Sequence, residues 1–190
     1  MWFVIAVFSS VIFGLSGIVM KWAQSRQVSY KHFLFGMYAS GALGFFVNCL
    51  LEKSLILTDL RIWAGGLLIG IGTAWGNYIF LKAMEYGPAS LTSPLVNMNF
   101  VLIVLLGTVI YAEPLGIWEG AGIAAIFLAI ALISIRGKEP LSVQEKTWYL
   151  YVVLATILFL VRNGGLKVTS EMGLENTPIL FISYLLPVIW

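Results

Sequence analysis

The side chains able to do chemistry in this chain are few, and they stand inside apolar runs. Arg162 lies in LFLVRNGGLK, followed by Asn163 and the Gly164-Gly165 pair. Asn77 lies in GTAWGNYIF with Trp75 and Tyr78 beside it, and Pro94 lies between Ser93 and Asn97 in LTSPLVNMNF. A polar group surrounded by hydrocarbon is costly, and an ionised arginine at the centre of a membrane helix costs about 2.5–3.5 kcal/mol on insertion scales. Each of these residues therefore needs a partner. Arg162 either binds an anion in a central cavity or snorkels to a nearby interface. Trp75 and Tyr78, three apart, share a helix face, with Asn77 further round. They read as the lining of a solute pocket or as packing around an interhelical hydrogen bond. Pro94 removes one backbone hydrogen bond and bends its helix, and the freed carbonyl needs a donor or a water-filled cavity. Asn97 is one turn from Ser93 on the same face. The expected binding set is thus Trp75, Asn77, Tyr78, Asn97 and Arg162, with Pro94 as a hinge or a purely structural kink.

Other chemistries lack their parts. No nucleophile stands near a base, no two carboxylates are paired and no glycine-rich phosphate loop occurs, so an enzyme is not expected. A single cysteine, Cys49, excludes a disulfide framework and a cysteine-based metal site. A single histidine, His32, argues against zinc. No metal or cofactor is expected. Glu113 and Glu119 fall near span ends, and the first apolar run has no acid at all.

The elements that must position these residues follow from composition. Of 190 residues, 60% are hydrophobic and 11% charged, with 11 basic and 9 acidic side chains; mean hydropathy is +0.95. Soluble domains carry roughly 25% charged residues, so a cytosolic enzyme, a nucleic-acid binder and a disordered chain are all excluded. A net charge of +2 implies no polyanionic partner. A span needs about 20 apolar residues. Six full runs qualify, at about 2–20, 33–51, 62–81, 88–111, 115–135 and 148–166; a seventh, 177–190, is too short to cross at about 1.5 Å per residue. That last run reads as an interrupted span, hence a fragment of a longer protein, or as an interfacial helix. The runs are too long and too continuous for barrel strands, and the first lacks the basic start of a cleavable signal. The class expected is an all-α, polytopic transmembrane bundle whose first partner is the lipid bilayer.

Shifting the chain by 146 residues aligns the first span with the sixth. Trp2 falls on Trp148, Phe13 on Phe159, Lys21 on Lys167, Phe35 on Phe181 and Tyr38 on Tyr184. The polar stretch 137–147 then separates a five-helix unit, 1–136, from the start of a second, 148–190. Five is odd, so the second unit enters from the opposite side, as in the inverted repeats of many secondary transporters. The alternative is two unrelated helices with similar ends. Small residues four apart (Gly66 and Gly70, Gly72 and Gly76, Gly116 and Gly120) mark faces for close packing within the chain or in a homodimer. Lys21, Arg26, Lys31, Lys82, Arg136, Lys138 and Lys146 fall on one side of the membrane, and Lys53, Arg61 and Lys167 on the other. That bias favours an external N-terminus.

The stretch 86–130, YGPASLTSPLVNMNFVLIVLLGTVIYAEPLGIWEGAGIAAIFLAI, resembles the end of an EamA-type unit of the drug/metabolite transporter superfamily. The resemblance rests on Ala89-Ser90-Leu91, Pro94, Gly107 before Glu113, and Gly122 nine positions after that acid. It covers one five-helix unit and the start of a second. Two departures are Phe100, where the family often has a second proline, and Glu119, where it often has glutamine. The resemblance implies ten helices in two inverted units around a central cavity. It also implies transport of small organic solutes such as amino acids, sugars, nucleobases or drugs; the direction expected here is export. The alternatives are a small-multidrug-type exporter working as a dimer, which lacks its essential acid in span one here, and a non-transporting membrane subunit.

Overall fold

A computed structural model describes residues 2–54, 58–136 and 146–189. The described residues form eight helices: α1 (Trp2–Ser25), α2 (Tyr30–Glu52), α3 (Leu60–Tyr86), α4 (Ala89–Asn97), α5 (Asn99–Ile110), α6 (Ile117–Arg136), α7 (Thr147–Glu171) and α8 (Asn176–Ile189). Five stretches are long and apolar enough to cross a bilayer: Val4–Ala23, Tyr30–Glu52, Leu60–Tyr86, Ala89–Ile110 and Thr147–Glu171. Ile117–Leu132 and Asn176–Ile189 are shorter apolar helices. The chain is a polytopic helical bundle. The stretch 137–145, most of the expected boundary between units, lies outside the described residues.

Local chemistry sets the helix ends. Asp59 caps α3, its carboxylate accepting from the Arg61 amide at 2.9 Å. Hydrogen bonds from the Arg61 side chain and amide hold that carboxyl below its ordinary pKa. Gly87-Pro88 separates α3 from α4, since proline has no N–H to extend the first helix but can open the next. The fourth span is two helices rather than one. Four residues after Pro94, the Met98 amide turns to the Leu95 carbonyl at 3.1 Å, and α5 restarts at Asn99. The expected bend is therefore a break, displaced one turn beyond the proline.

α3 is the hub. It packs most extensively against α7 and α8, and α8 also packs on α2. The glycines explain how α3 serves two neighbours at once. A methyl group at Gly66 would meet Ile182 of α8 at 2.6 Å, and one at Gly70 would meet the Ser183 carbonyl at 3.2 Å. At Gly72 it would lie 2.7 Å from the Leu158 carbonyl of α7, and at Gly76 3.0 Å from the Phe159 ring. Two adjacent small-residue faces thus seat two helices, and both are used within this chain. At Gly120 of the third pair, a methyl group would meet nothing within 4 Å among the described residues. α1 touches α3 and α6 touches α4, both at the periphery, and α1 leaves most of its apolar side chains outward. That is the pattern of lipid-facing helices.

Candidate functional site

Where α2, α3, α7 and α8 meet, two hydrogen-bonded groups of polar side chains are joined by a ring contact between two tyrosines. Asn77 of α3 donates to the Tyr38 hydroxyl of α2 (3.3 Å) and to the Thr73 carbonyl (3.0 Å). The Tyr38 hydroxyl donates in turn to the Thr73 carbonyl at 3.0 Å. The Tyr38 ring stands edge-on to Tyr184 of α8, with centroids 6.0 Å apart. Arg162 of α7 completes the second group, its Nη2 donating to the Tyr184 hydroxyl at 3.0 Å. Its guanidinium carbon lies 5.9 Å from the centre of the same ring. The Arg162 Nε is buried and has no partner among the described residues.

The sixth span was expected to end near 166, which left Arg162 a few residues from an interface. α7 runs on to Glu171, because Lys167 and Glu171 pair one turn apart (2.8 Å) and Lys167 also binds Glu113. Arg162 is consequently three residues from Phe159, the middle of α7, or about 4.5 Å of rise. It turns toward α8, where its Nη2 meets the Tyr184 hydroxyl.

The other expected residues divide. Asn77 joins the first of the two polar groups. Trp75 and Tyr78 contact one another edge-on at 6.1 Å, but on another face of α3, with Trp75 41% exposed and Lys82 over the Tyr78 ring. Asn97 is half-buried at the end of α4, with no hydrogen bond among the described residues. Its neighbour Asn99 makes the interhelical bond instead. Asn99 is 1% exposed, donates to the Val96 carbonyl (2.8 Å) and accepts from Asn163 of α7 (2.9 Å). Sequence reasoning passed over Asn99, Asn163, Tyr38 and Tyr184 as site residues. The two tyrosines had carried a signal, since they are a matched pair of the 146-residue offset. Alanine at Asn99 or Asn163 is expected to lower stability, and a double-mutant cycle should give a coupling of about 0.6–1.7 kcal/mol. Strictly additive losses, read by unfolding in mixed micelles, would show that the bond contributes nothing.

A second polar cluster lies at the far end of α7. Glu113, in the α5–α6 turn, binds Lys167, which also binds Glu171 and lies over the Tyr111 ring at 5.7 Å. Ala112 takes a left-handed conformation (φ 53°), and the Glu113 amide returns to the Gly107 carbonyl at 3.2 Å. Any Cβ at Gly107 would collide with the Glu113 carboxylate. Gly107 thus stands where the Glu113 carboxylate folds back toward α7. Among the described residues, no group of three His, Cys, Asp or Glu side chains could hold a metal ion.

A helical bundle of this hydropathy, with a polar cluster between its central helices, is a multi-pass integral membrane protein. Residues 1–135 match the model of the EamA-like transporter family, and the chain belongs to that family. Among curated proteins it is similar to the probable 4-amino-4-deoxy-L-arabinose-phosphoundecaprenol flippase subunit of Proteus mirabilis. The two are 32% identical over 62 residues, which is 33% of this chain and 55% of the relative. The protein of the same name from Serratia proteamaculans is 36% identical over 70 residues, 37% of this chain and 57% of the relative. That from Photorhabdus laumondii is 30% identical over 74 residues, 39% and 64% of the two chains. The match spans between half and two thirds of these relatives. No solved structure matches the chain.

Proposed function

We propose that this chain exports a small organic solute by alternating access, binding it at the polar cluster formed by Arg162, Tyr184, Tyr38 and Asn77. The observation that carries this reading is a charged and hydrogen-bonding cluster between four helices at mid-span, where a charge without a role is costly. Trp75, Tyr78 and Asn97 complete the proposed lining in an opened state, and the break after Pro94 lets α4 and α5 move separately. Two inverted units, 1–136 and 148–190, are part of the proposal. Supporting it, Tyr38 and Tyr184, matched by the 146-residue offset, pack against one another. Residues that meet their own repeat mates are expected beside a two-fold axis.

A second reading follows from the relatives' name, which describes a subunit of a flippase for a lipid-linked amino sugar. In that reading the chain works with a second copy or another subunit and moves a lipid-linked substrate. The two readings separate by comparing the medium and the membrane lipids of cells with and without the protein. Accumulation of a water-soluble metabolite outside supports solute export. A change confined to lipid-linked sugars in the outer leaflet supports the flippase.

Asn97→Ala offers a clean variant, because its side chain makes no hydrogen bond among the described residues. Its stability is expected to stay within about 0.5 kcal/mol of the parent, while export falls severalfold. Unchanged export kinetics would remove Asn97 from the site.

A further inference from the structure

The Arg162 guanidinium is a positive charge with no counter-charge among the described residues. Among the described residues no carboxylate lies within ion-pair distance of it. The acids that make contacts make them elsewhere: Glu113 and Glu171 with Lys167, Asp59 with Arg61, Glu52 with Asn48, and Glu85 with Tyr30. Arg162 has one neutral partner, the Tyr184 hydroxyl on Nη2, and its buried Nε–H is unmatched. Nε and Nη2 form one edge of the guanidinium, the edge that carboxylates and phosphates grip with two parallel hydrogen bonds. The Tyr184 hydroxyl accepts from that edge, leaving its own proton to donate to the same ligand. The backbone that carries Arg162 and the ring that it meets are both closely packed. α3 passes so close to α7 that a methyl group at Gly72 would lie 2.9 Å from the Arg162 amide, and the Tyr184 ring fills the space beside Gly41 of α2.

We infer that the Arg162 edge with the Tyr184 hydroxyl is a subsite for an oxyanion, a carboxylate or phosphate group carried by the transported molecule. The inference rests on the transport reading above and narrows its substrate to anions. The oxyanion neutralises the guanidinium at mid-span, satisfies Nε and accepts the Tyr184 proton. A cation or a neutral solute would leave the charge uncompensated.

The test is a binding measurement, so it stands apart from the success of any export assay. The purified full chain is placed in nanodiscs of phosphatidylcholine, and its thermal unfolding is followed by tryptophan fluorescence. Benzoate, its neutral amide benzamide, and inorganic phosphate are added separately; a fourth sample has phosphatidic acid in the disc. Benzoate or phosphate is expected to raise the transition temperature, and benzamide is not. Arg162→Gln should weaken binding roughly tenfold or more, as loss of a charge-assisted pair does. Stabilisation by phosphatidic acid alone, lost in Arg162→Gln, supports the same oxyanion chemistry with a lipid headgroup as its source. Should Arg162→Gln not fold, Arg162→Lys keeps the charge without the paired donor edge and is expected to bind with intermediate strength. Equal shifts with benzoate and benzamide, no shift with any anion, or full anion binding in Arg162→Gln would overturn the inference. If these probes bind and cells show no export, the subsite stands and the transport reading falls.

Discussion

Gly72→Val is expected to leave little correctly folded protein, the largest effect of any single substitution considered. Even an alanine methyl at this position would sit 2.7 Å from the Leu158 carbonyl and 2.9 Å from the Arg162 amide. Both are backbone atoms of α7, which cannot rotate away as a side chain can. The only relief is for α3 and α7, the most extensive contact in the bundle, to separate. Overpacking of this kind costs about 1–3 kcal/mol for alanine, and the branched valine side chain exceeds what a marginally stable bundle tolerates. Separating the two helices would also displace Arg162. Gly44→Val is the control, since a methyl group at Gly44 meets nothing within 4 Å. The check is the fraction of monodisperse protein after extraction in mild detergent. Equal recovery of the two variants would mean that α3 and α7 are not packed as described.

Trp148→Ala is expected to lower stability by about 3–5 kcal/mol, the range for truncating a buried large aromatic residue. Trp148 is 2% exposed in the first turn of α7. Its indole lies where a Cβ at Gly87 would be, and its Nε1–H donates to the Thr92 hydroxyl at 2.9 Å. The Thr92 hydroxyl donates to the Pro88 carbonyl at 2.9 Å. One side chain thus fastens the start of α7 to the junction of α3 and α4. In a bilayer the loss is of packing and hydrogen bonding rather than of water exclusion, and the cavity left behind supplies most of it. Trp148→Phe keeps an aromatic ring but loses the N–H and part of the volume, so a loss of about 1–3 kcal/mol, smaller than for alanine, is expected. Similar unfolding midpoints for the alanine and phenylalanine variants in mixed micelles would contradict this placement.

Much of the fold was legible in the sequence because hydropathy and small-residue spacing are properties of single helices. The runs at 33–51 and 62–81 lie within α2 and α3, and the glycines at Gly66, Gly70, Gly72 and Gly76 mark the faces that pack. Which neighbour each face takes was not legible, since that depends on pairing across the chain. Helix ends were less clear. The sixth run was expected to end near 166, yet α7 continues to Glu171, with Lys167 paired to both Glu171 and Glu113. That extension places Arg162 near the middle of α7 rather than near its end. Asn97 and Asn99 show a similar limit. Both are amides in the same apolar span, but residues two apart on a helix point to different sides, and the break at Met98 sends Asn99 inward. Tyr38 and Tyr184 were visible as a matched pair, though neither tyrosine advertises a polar site until Arg162 and Asn77 are placed beside them.

The central claim is that the cluster around Tyr184 is reached by solute from each side of the membrane in turn. The most direct measurement places a single cysteine at Tyr184 in a Cys49→Ala background and exposes it to a membrane-impermeant thiol reagent. Intact cells test one side and inverted vesicles the other. The account predicts labelling from both sides, slowed by whichever oxyanion proves to bind. A folded variant that reacts from neither aqueous side, but does react with a membrane-permeant thiol reagent, would contradict it: the cluster would then be sealed packing and not a transport site.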